Sequence, residues 1–462
     1  MAIIPQASLF CWKDIENLGD LKRLVLVLKV IPDEALMRVL ETDRGQGRDD
    51  YPIRAVWNSL LAGVVCQHAS VEELRRELLR NAQLREVCGF GVLLKAEAAV
   101  PPPWVYTRFF RLLFKHAVLI DAMFDELVES LHEELPGFGR CLAGDGKAIP
   151  THARAPKKDA EPKDPDGRRD TDADWGAKTK KKARDDGTSY EKVTHWFGYK
   201  LHLVVDADYE LPVAYEITKA SAGEAPIARK LVKRLSERHE DLMKNTCEVY
   251  LYDKAGDDTT LIKTLWDDHG IKPVISIRDC WQDADEIELS SDERRKTRQV
   301  PGTRDVVYTE KGGVYCLCPR TVAAAKAGEV DKVREMAFGG FEKDRGTLRY
   351  RCPARQYGYE CPGADRCKAK TGVRIKLDID RRVLTPLARN TYVWEQTYKK
   401  RTAVERVNSR FDVSYGFERH FIRGLAKMRL RTGFALVIML SMALGRVREK
   451  RKDLVRSLVQ AA

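Results

Sequence analysis

Residues 141–149 read CLAGDGKAI, an apolar run that ends at an acidic residue between two glycines. This pattern is typical of a buried strand that ends at Asp145. A second apolar run, Cys247 to Asp253, is followed by Lys254-Ala255-Gly256. Because the carboxyl ends of neighbouring parallel strands meet at one sheet edge, we expect Asp145 and Asp253 to lie together. Taken alone, an aspartate at such a place more often forms a turn or caps a helix.

A third carboxylate, Glu405, ends the segment YKKRTAVE at residues 398–405. Helical spacing of three and four residues puts Tyr398, Arg401 and Glu405 on one face. Two Asp and one Glu are oxygen ligands that suit Mg²⁺ or Mn²⁺ and leave positions for water and phosphate. Two such ions can serve one in-line displacement at phosphorus without a covalent nucleophile. The alternative for this stripe is an ordinary surface ion pair between Arg401 and Glu405.

The 462 residues are enough for two or three folding units. Helical periodicity predicts an all-α N-terminal domain over residues 1–138, for DNA binding or dimerisation. Strand and helix patterns then alternate, which predicts a mixed α/β sheet flanked by helices, beginning with residues 139–279. Residues 151–192 are polar and mixed in charge and predict a mobile insertion. A Cys-rich inserted subdomain is predicted over 280–375, and residues 376–462 complete the core with C-terminal helices.

The elements predicted within the core have definite bounds, given by their periodicity and flanking turn residues. They are a hairpin of Trp196–Asp206 with Leu211–Ile217, a helix Ala225–His239, a strand Cys247–Asp253, a helix Thr259–His269 and a strand Lys272–Ile277.

Residues 70–91 of the N-terminal region are typical of a short helix-turn-helix unit. Ser70 followed by Glu73 predicts a capping box, and Gly89 and Gly91 end the segment. A helical subdomain with a solvated basic side is an equal alternative. In the first interpretation the residues that would face phosphate are Arg75, Arg76, Arg80 and Arg85.

The overall charge favours a polyanionic partner. A net charge of +12 and a pI near 9.1 are expected of a protein whose Lys and Arg neutralise phosphates. The N-terminal residues MAIIPQASLF lack the features of a secretory signal, which predicts a cytoplasmic protein. The most apolar run, Phe434–Leu444, is shorter than the roughly 20 residues that span a bilayer, so it predicts a buried helix and no membrane contact.

The cysteines indicate free thiols or metal ligands, because eleven in a chain of this size are too few for a disulfide scaffold. Paired Cys-x-x-Cys knuckles are absent, so reduced structural thiols are the alternative to a tetrahedral Zn²⁺ site. Aromatic residues interleave with Arg and Lys in the same segment and suit either DNA contacts or core packing. The candidate zinc ligands are Cys318, Cys352, Cys361 and Cys367.

These motifs together resemble the DDE transposases of bacterial insertion sequences, whose catalytic domain is ribonuclease H-like. The resemblance covers most of the chain. It implies that Asp145, Asp253 and Glu405 are the catalytic triad that binds two Mg²⁺ or Mn²⁺ ions. The segments that carry it are YPIRA (51–55), GDG (144–146), DADWGAK (172–178), HWFGYKLH (195–202), DK (253–254) and RTAVER (401–406).

The resemblance also implies an activity. It predicts a homodimer that binds terminal inverted repeats and catalyses metal-dependent cleavage and strand transfer of double-stranded DNA, in the bacterial cytoplasm at the nucleoid. Tyr398 and Arg401 would support the site and contact transposon-end DNA, with Lys147, Lys200 and Lys254 beside them. The alternatives are a non-catalytic or domesticated DNA-binding protein and a simple metal-dependent nuclease.

Three positions depart from the family pattern. Lys254-Ala255-Gly256 stands where Lys-Gly-Tyr is usual, Asp412 where a Lys is usual, and Glu224 where an Asp is usual. None of them removes a carboxylate of the triad. They leave open how the flanking strand is handled and whether a DNA hairpin intermediate forms.

Overall fold

The computed structural model describes residues 18–19, 21–45, 50–91, 95–156, 169–183, 189–282, 284–290, 293–318, 332–365 and 367–456. Helices and strands are numbered below in chain order among these residues. The N-terminal residues 1–17, to which the expectation about a secretory signal applies, lie outside them. Residues 157–168 and 184–188 of the insertion predicted over 151–192 also lie outside them.

The regular elements described before the first strand are all helices. At the start of α4, the Ser70 hydroxyl accepts the N–H of Glu73 at 3.2 Å, as the capping box predicts. The Glu73 carboxylate accepts the N–H of Ala69 at 2.8 Å, one residue before the usual donor. The helices are α1 (Leu21–Val30), α2 (Glu34–Arg44), α3 (Ile53–Val65), α4 (Val71–Arg80), α5 (Ala82–Cys88), α6 (Ala96–Ala99), α7 (Pro103–Lys115) and α8 (Ala117–Glu134).

A six-stranded mixed sheet follows, as the alternating pattern predicts. Its strands are β1 (Cys141–Pro150), β2 (Asp174–Ala183), β3 (Ser189–Asp206), β4 (Leu211–Lys219), β5 (Val249–Tyr252) and β6 (Lys272–Ile275). The order is β2-β3-β1-β5-β6, and β4 also pairs with β3. β1, β5 and β6 run parallel, whereas β3 is antiparallel to β1. Helices α9 (Glu224–Arg238) and α10 (Thr259–Lys263) lie in the connections between strands.

Two features of this sheet differ from the sequence expectations. β1 does not end at Asp145 but continues to Pro150, because β3 pairs with it from Leu142 to Pro150. The segment 151–192 is not irregular throughout, because β2 pairs with the first half of β3 in a long antiparallel hairpin. Main-chain hydrogen bonds form such a ladder even where both faces are polar, so low apolar content was a poor guide to its structure.

Residues from Ile277 to Leu384 build a second hydrophobic cluster, separate from the main one. Its two sheets have the orders β11-β10-β9-β8-β7 and β12-β13-β14. Trp281, Tyr308 and Tyr350 are buried in this cluster, so core packing accounts for these aromatic residues. The elements are β7 (Asp285–Ser290), β8 (Glu293–Gln299), β9 (Val306–Thr309), β10 (Val314–Cys318), β11 (Lys332–Glu335), β12 (Ala337–Glu342), β13 (Thr347–Arg351), α11 (Pro353–Tyr357) and β14 (Val373–Lys376).

Three helices close the chain: α12 (Tyr392–Lys399), α13 (Thr402–Tyr415) and α14 (Leu425–Arg448). α14 packs against α1, α8 and β4, so it connects the N-terminal helices to the sheet. By length and composition α14 could cross a membrane, but 89% of its most apolar 18-residue stretch is buried inside the protein. The buried helix predicted over Phe434–Leu444 is therefore confirmed, and it is longer at both ends.

Candidate active site

Asp145 and Asp253 occupy equivalent positions on neighbouring parallel strands. Ala143 of β1 pairs with Leu251 of β5, and the same register continued by two residues aligns Asp145 with Asp253. The Asp253 carboxylate accepts the N–H of Ala255 at 2.8 Å, which fixes the turn after β5. The structure therefore brings together the two aspartates that the strand pattern places at one sheet edge.

Glu224, the first residue of α9, completes a cluster of three carboxylates. One oxygen from each of Asp145, Glu224 and Asp253 lies within 4.8 Å of the other two, the one such group of three found among the described residues. Glycine at position 146 permits this approach, because a Cβ there would lie 2.7 Å from the carboxyl carbon of Glu224. Sequence reasoning recorded Glu224 only as a departure from the family pattern. The signal for it was an acidic residue at the start of the helix that follows the hairpin.

The cluster carries more negative charge than its surroundings neutralise. Burial raises the pKa of Asp145 to about 6; Lys178 lowers it, and the charges of Asp253 and Glu224 raise it. Burial also raises the pKa of Glu224, whereas Lys200 acts in the opposite direction. A cation would stabilise these three close carboxylates, of which Asp145 is buried and the other two are half-buried. Because every donor is a hard oxygen, the site fits a divalent ion of the Mg²⁺ type.

Two lysines lie beside the cluster. Lys200 donates to the carbonyl of Ala222 at 3.0 Å, and its Nζ is 3.6 Å from Oε1 of Glu224. Lys178 is exposed on β2, and its charge lowers the pKa of both Asp145 and Glu224. Sequence reasoning assigned Lys178 to a mobile insertion, and nothing in its local pattern indicated that the β2–β3 hairpin brings it near the carboxylates.

Glu405 is not part of the carboxylate cluster. Its side chain is 54% exposed, and its Oε1 accepts from Nη2 of Arg401 at 2.8 Å. The Arg401 guanidinium in turn lies over the ring of Tyr398, 5.8 Å from the ring centroid. The three residues predicted to share a face are therefore in contact, although they do not belong to one continuous helix: α12 ends at Lys399 and α13 begins at Thr402.

Helix α13 packs against β1 and β3. Nζ of Lys147 donates to the Asp412 carboxylate at 2.6 Å. Glu405 and Asp412 are two turns apart on one flank of α13, and Asp145 and Lys147 share one face of β1. This ion pair also accounts for the departure at position 412, since the positive charge is supplied by the strand and the negative charge by the helix.

The electrostatic surroundings of Arg401 place it near the same carboxylates. Burial lowers the pKa of Arg401, but its hydrogen bond to Glu405 and the charges of Tyr398, Glu405 and Asp145 raise it above its ordinary value. The guanidinium thus interacts electrostatically with Glu405 and with Asp145 of the cluster.

The loop that carries Asp253 and Lys254 is held by Arg382. This side chain donates from Nε and Nη2 to the Asp257 carboxylate at 3.0 and 2.9 Å, and from Nη1 to Glu310 at 2.6 Å. Glu310 belongs to the segment between β9 and β10, so this group of Arg382, Asp257 and Glu310, the Arg382 clamp, joins the second cluster to the loop after β5. The Lys254 side chain is exposed beside Asp253.

The arginines of the helix-turn-helix segment do not all face solvent as expected. Arg85 is buried and donates to two carbonyls at the end of α4, at 2.7 and 3.0 Å, so it caps that helix and contradicts the prediction of phosphate contact. Arg75 donates to the carbonyl of Pro101 at 2.7 Å. Arg80 is exposed but paired within its own helix, and Arg76 is exposed.

Four cysteines of the second cluster line one cavity of about 280 Å³. They are Cys316, Cys352, Cys361 and Cys367. The side chain of Cys318, which the sequence favours as a ligand, lies outside the described residues. Among the side chains that are described, no three of these thiols come within 4.8 Å of one another. The structure thus gathers cysteines around one space without closing a tetrahedral site.

Comparisons with known proteins found a matching family model. The family model described as "Transposase DDE domain" matches residues 136–441. No curated protein sequence matches the chain. Among solved structures, the cryo-EM structure of the piggyBac transposase synaptic complex with hairpin DNA aligns over 96% of this chain and 85% of that chain, at 12% identity and a TM-score of 0.29. At that score the alignment supports no comparison of detail.

Proposed function

The chain belongs to the DDE transposase family, and we propose from this premise that it binds the terminal inverted repeats of an insertion sequence, cuts DNA there and joins it to a target. As a member of this family it is a DNA transposase that works with divalent metal ions. The observation that carries the proposal is the in-register pair Asp145 and Asp253 with Glu224 in the same cluster. A ribonuclease H-like core is supported by the order β4-β3-β1-β5-β6, in which only β3 runs antiparallel to the other strands.

Asp145 and Asp253 would hold the metal, with Mg²⁺ or Mn²⁺ the best fit to an all-oxygen donor set. Glu224 is the third carboxylate of the cluster, and Glu405, which is hydrogen-bonded to Arg401, is the proposed third ligand. When bound, two such ions activate the attacking water or 3′-hydroxyl and stabilise the leaving oxygen. Asp145 is buried and Glu224 and Asp253 are half-buried, so the repulsion among the three charges is only partly screened and favours binding of a cation.

The surrounding side chains position the carboxylates and the DNA. Arg401 holds Glu405 through a 2.8 Å hydrogen bond, and a phosphate that competes for this guanidinium would release Glu405 toward the cluster. The ring of Tyr398 packs against the Arg401 guanidinium and supports it. Lys200 partly neutralises Glu224, and the exposed Lys254 lies where a phosphate entering the site would meet it.

The test is cleavage of a plasmid that carries the inverted repeats flanking the gene. Asp145→Asn, Asp253→Asn and Glu405→Gln should each reduce Mg²⁺-dependent cleavage at least about a thousandfold, because each removes a ligand. Binding to end DNA should remain within about twofold, since few phosphate contacts are lost. Glu395→Gln, on the exposed side of α12, is the matched control.

Each outcome assigns a role. Mg²⁺-dependent cleavage retained in any one variant would remove that residue from the proposed triad. Glu224→Gln tested alongside Glu405→Gln decides which glutamate is the third ligand. Cleavage without joined products would indicate a simple nuclease.

A structural zinc ion in the second cluster is the remaining part of the cofactor proposal. Cys352, Cys361 and Cys367 would supply three ligands, with Cys316 or Cys318 of β10 as the fourth, and closing of the thiols around the metal would stabilise this small-core region. Purified protein should contain one zinc per chain, and Cys361→Ser should lose it together with thermal stability of the second cluster. If the protein contains no zinc and is equally stable, the cysteines are reduced structural thiols and not zinc ligands.

The proposal includes a homodimer, because two transposon ends must be held together, and residence at the nucleoid of a bacterial cytoplasm. The net charge of +12 supports close association with DNA. Light scattering of the protein with and without end DNA tests the dimer.

A further inference from the structure

A groove of about 640 Å³ lies away from the carboxylates, between the N-terminal helices and the start of α14. Its walls come from α3, α4 and α7 on one side and from the loop of residues 416–424 with the first turns of α14 on the other. The floor is apolar and includes Leu60, Val64, Leu74, Phe110, Phe114 and Phe434.

The rim of this groove is positively charged. Arg111, Arg419, Arg423 and Lys427 line it, and no Asp or Glu is among its lining residues. Within the described part of the chain, none of these four cations has a carboxylate within ion-pair distance, and Nε of Arg423 is buried without a hydrogen-bond partner. This rim therefore has unused capacity for anions.

An exposed aromatic ring completes the groove. Phe421 is 62% exposed, and its ring meets that of His152 edge-on with centroids 5.1 Å apart. The loop that carries Phe421 is fixed at two points: the N–H of His152 donates to the carbonyl of Ile422 at 3.1 Å, and the N–H of Gly424 donates to Asp170 at 3.0 Å. The ring is therefore presented on an anchored loop.

We propose that this groove binds a single strand of DNA, with phosphates on the four cations and an unstacked base on the apolar floor against Phe421. Duplex DNA presents mainly phosphates to a surface, so it would use the rim and leave the floor empty. A single strand exposes base faces as well as phosphates, and cationic grooves with aromatic platforms are how proteins hold such strands. A groove of this size is large enough for a base and its sugar.

The position of the groove connects it to the reaction. Its loop is bonded to His152, two residues after the end of β1, and Asp145 lies seven residues, at most about 25 Å, before His152 along the chain. A strand end freed at the carboxylates is thus within a few nucleotides of the groove. The inference rests on the proposed function for its source of single strands, but strand binding can be measured without cleavage.

The experiment compares DNA affinities of the full chain by fluorescence anisotropy in EDTA. The probes are an oligonucleotide of about 20 nucleotides and the blunt duplex of the same sequence. Arg111→Glu with Arg423→Glu removes rim charge, and Phe421→Ala removes the ring. The matched control is Lys22→Glu with Lys29→Glu, two exposed positions on α1, which changes the net charge by the same amount.

We expect the rim variant to bind the single strand about tenfold more weakly, with a salt slope lower by about 1.4 for two lost phosphate contacts. Phe421→Ala should lose about tenfold for the single strand with an unchanged salt slope, because stacking releases no counterions. The control should change single-strand affinity less than about twofold.

Three results would overturn the proposal. One is a Phe421→Ala variant with normal single-strand affinity, and another is an equal loss for single strand and duplex. The third is loss of self-association in the groove variants with DNA affinity intact, which would identify a second copy of the chain as the occupant.

Discussion

Asp145 is a carboxylate held where its own charge is unfavourable. Burial takes its pKa from an ordinary 3.8 to about 6, with Asp253 and Glu224 as like charges close by. The folded state therefore binds a proton more readily than the unfolded state, and stability falls as the pH rises through the window from about 4 to 6. Above that window the ionised group costs up to about 3 kcal/mol, which a bound divalent ion offsets.

Asp145→Asn should accordingly raise the melting temperature of metal-free protein at pH 7.5 by a few degrees and abolish the further rise on adding Mg²⁺. The control is Asp206→Asn. Asp206 is equally buried, with a pKa of about 6, but it accepts backbone N–H groups including those of Gly139 at 2.8 Å and Asp208 at 3.0 Å. Its variant should lose stability and keep the Mg²⁺ response. A lower melting temperature for Asp145→Asn in EDTA contradicts the electrostatic argument.

The sequence could predict the positions of some site residues but not of others. The sequence could predict the places of Asp145 and Asp253, because each aspartate ends an apolar run. The parallel direction of the two strands then puts them at the same sheet edge. Glu224 was not singled out as a ligand, because its approach depends on the missing side chain of Gly146 and on the start of α9. The role of Glu405 as a metal ligand stays a prediction, since its carboxylate is paired with Arg401.

Elements were predictable where burial imposes a period. β4, helix α9 and the strands β5 and β6 follow apolar patterns and were predicted within two residues at each end, whereas β3 begins seven residues before the predicted Trp196. β2 has no such pattern, because its ladder is held by main-chain hydrogen bonds and its side chains are largely polar. The ion pair of Lys147 with Asp412 joins residues 265 positions apart, which no local pattern can indicate.

The Arg382 clamp shows how one element positions another. Asp257 and Glu310 are 3% and 8% exposed, so both carboxylates depend on the Arg382 guanidinium for compensation. Asp257 follows Asp253 by four residues. Through Arg382, the second cluster therefore holds the loop that positions Asp253.

Arg382→Lys keeps the charge but loses the planar guanidinium that serves Asp257 and Glu310 together. We expect cleavage to slow about tenfold and to require more Mg²⁺, with DNA affinity unchanged, because the variant loosens the Asp253 loop and not the DNA surface. Arg374→Lys is the control, since Arg374 pairs with Glu342 on the surface of the second cluster. A Mg²⁺ titration of single-turnover cleavage measures both effects. If only thermal stability changes, the clamp supports the fold and does not position the site.

At the scale of the whole molecule, the N-terminal helices and the sheet share one hydrophobic cluster that runs from Leu21 to Val455. α14 is the reason, because it touches both. The sequence pattern changes at residue 139 and suggests a domain boundary there. Hydrophobic periodicity, however, predicts helices and strands and does not indicate which of them pack against one another. We expect the N-terminal helices and the sheet to unfold as one unit and the second cluster, Ile277–Leu384, to unfold as another.

Gly445→Val tests this division of the molecule. A Cβ at position 445 would lie 2.6 Å from Cγ of Leu26, so valine forces α1 away from α14 and should cost the main cluster about 1 to 3 kcal/mol. Calorimetry should show the larger transition moving to lower temperature while the smaller one stays in place. Ala426→Val, at an exposed position of the same helix, introduces the same side chain without the clash, and its small helix-propensity cost should move neither transition by more than about two degrees. If both transitions shift together in Gly445→Val, the two clusters form one cooperative unit, and the coupling through the Arg382 clamp is strong enough to merge them.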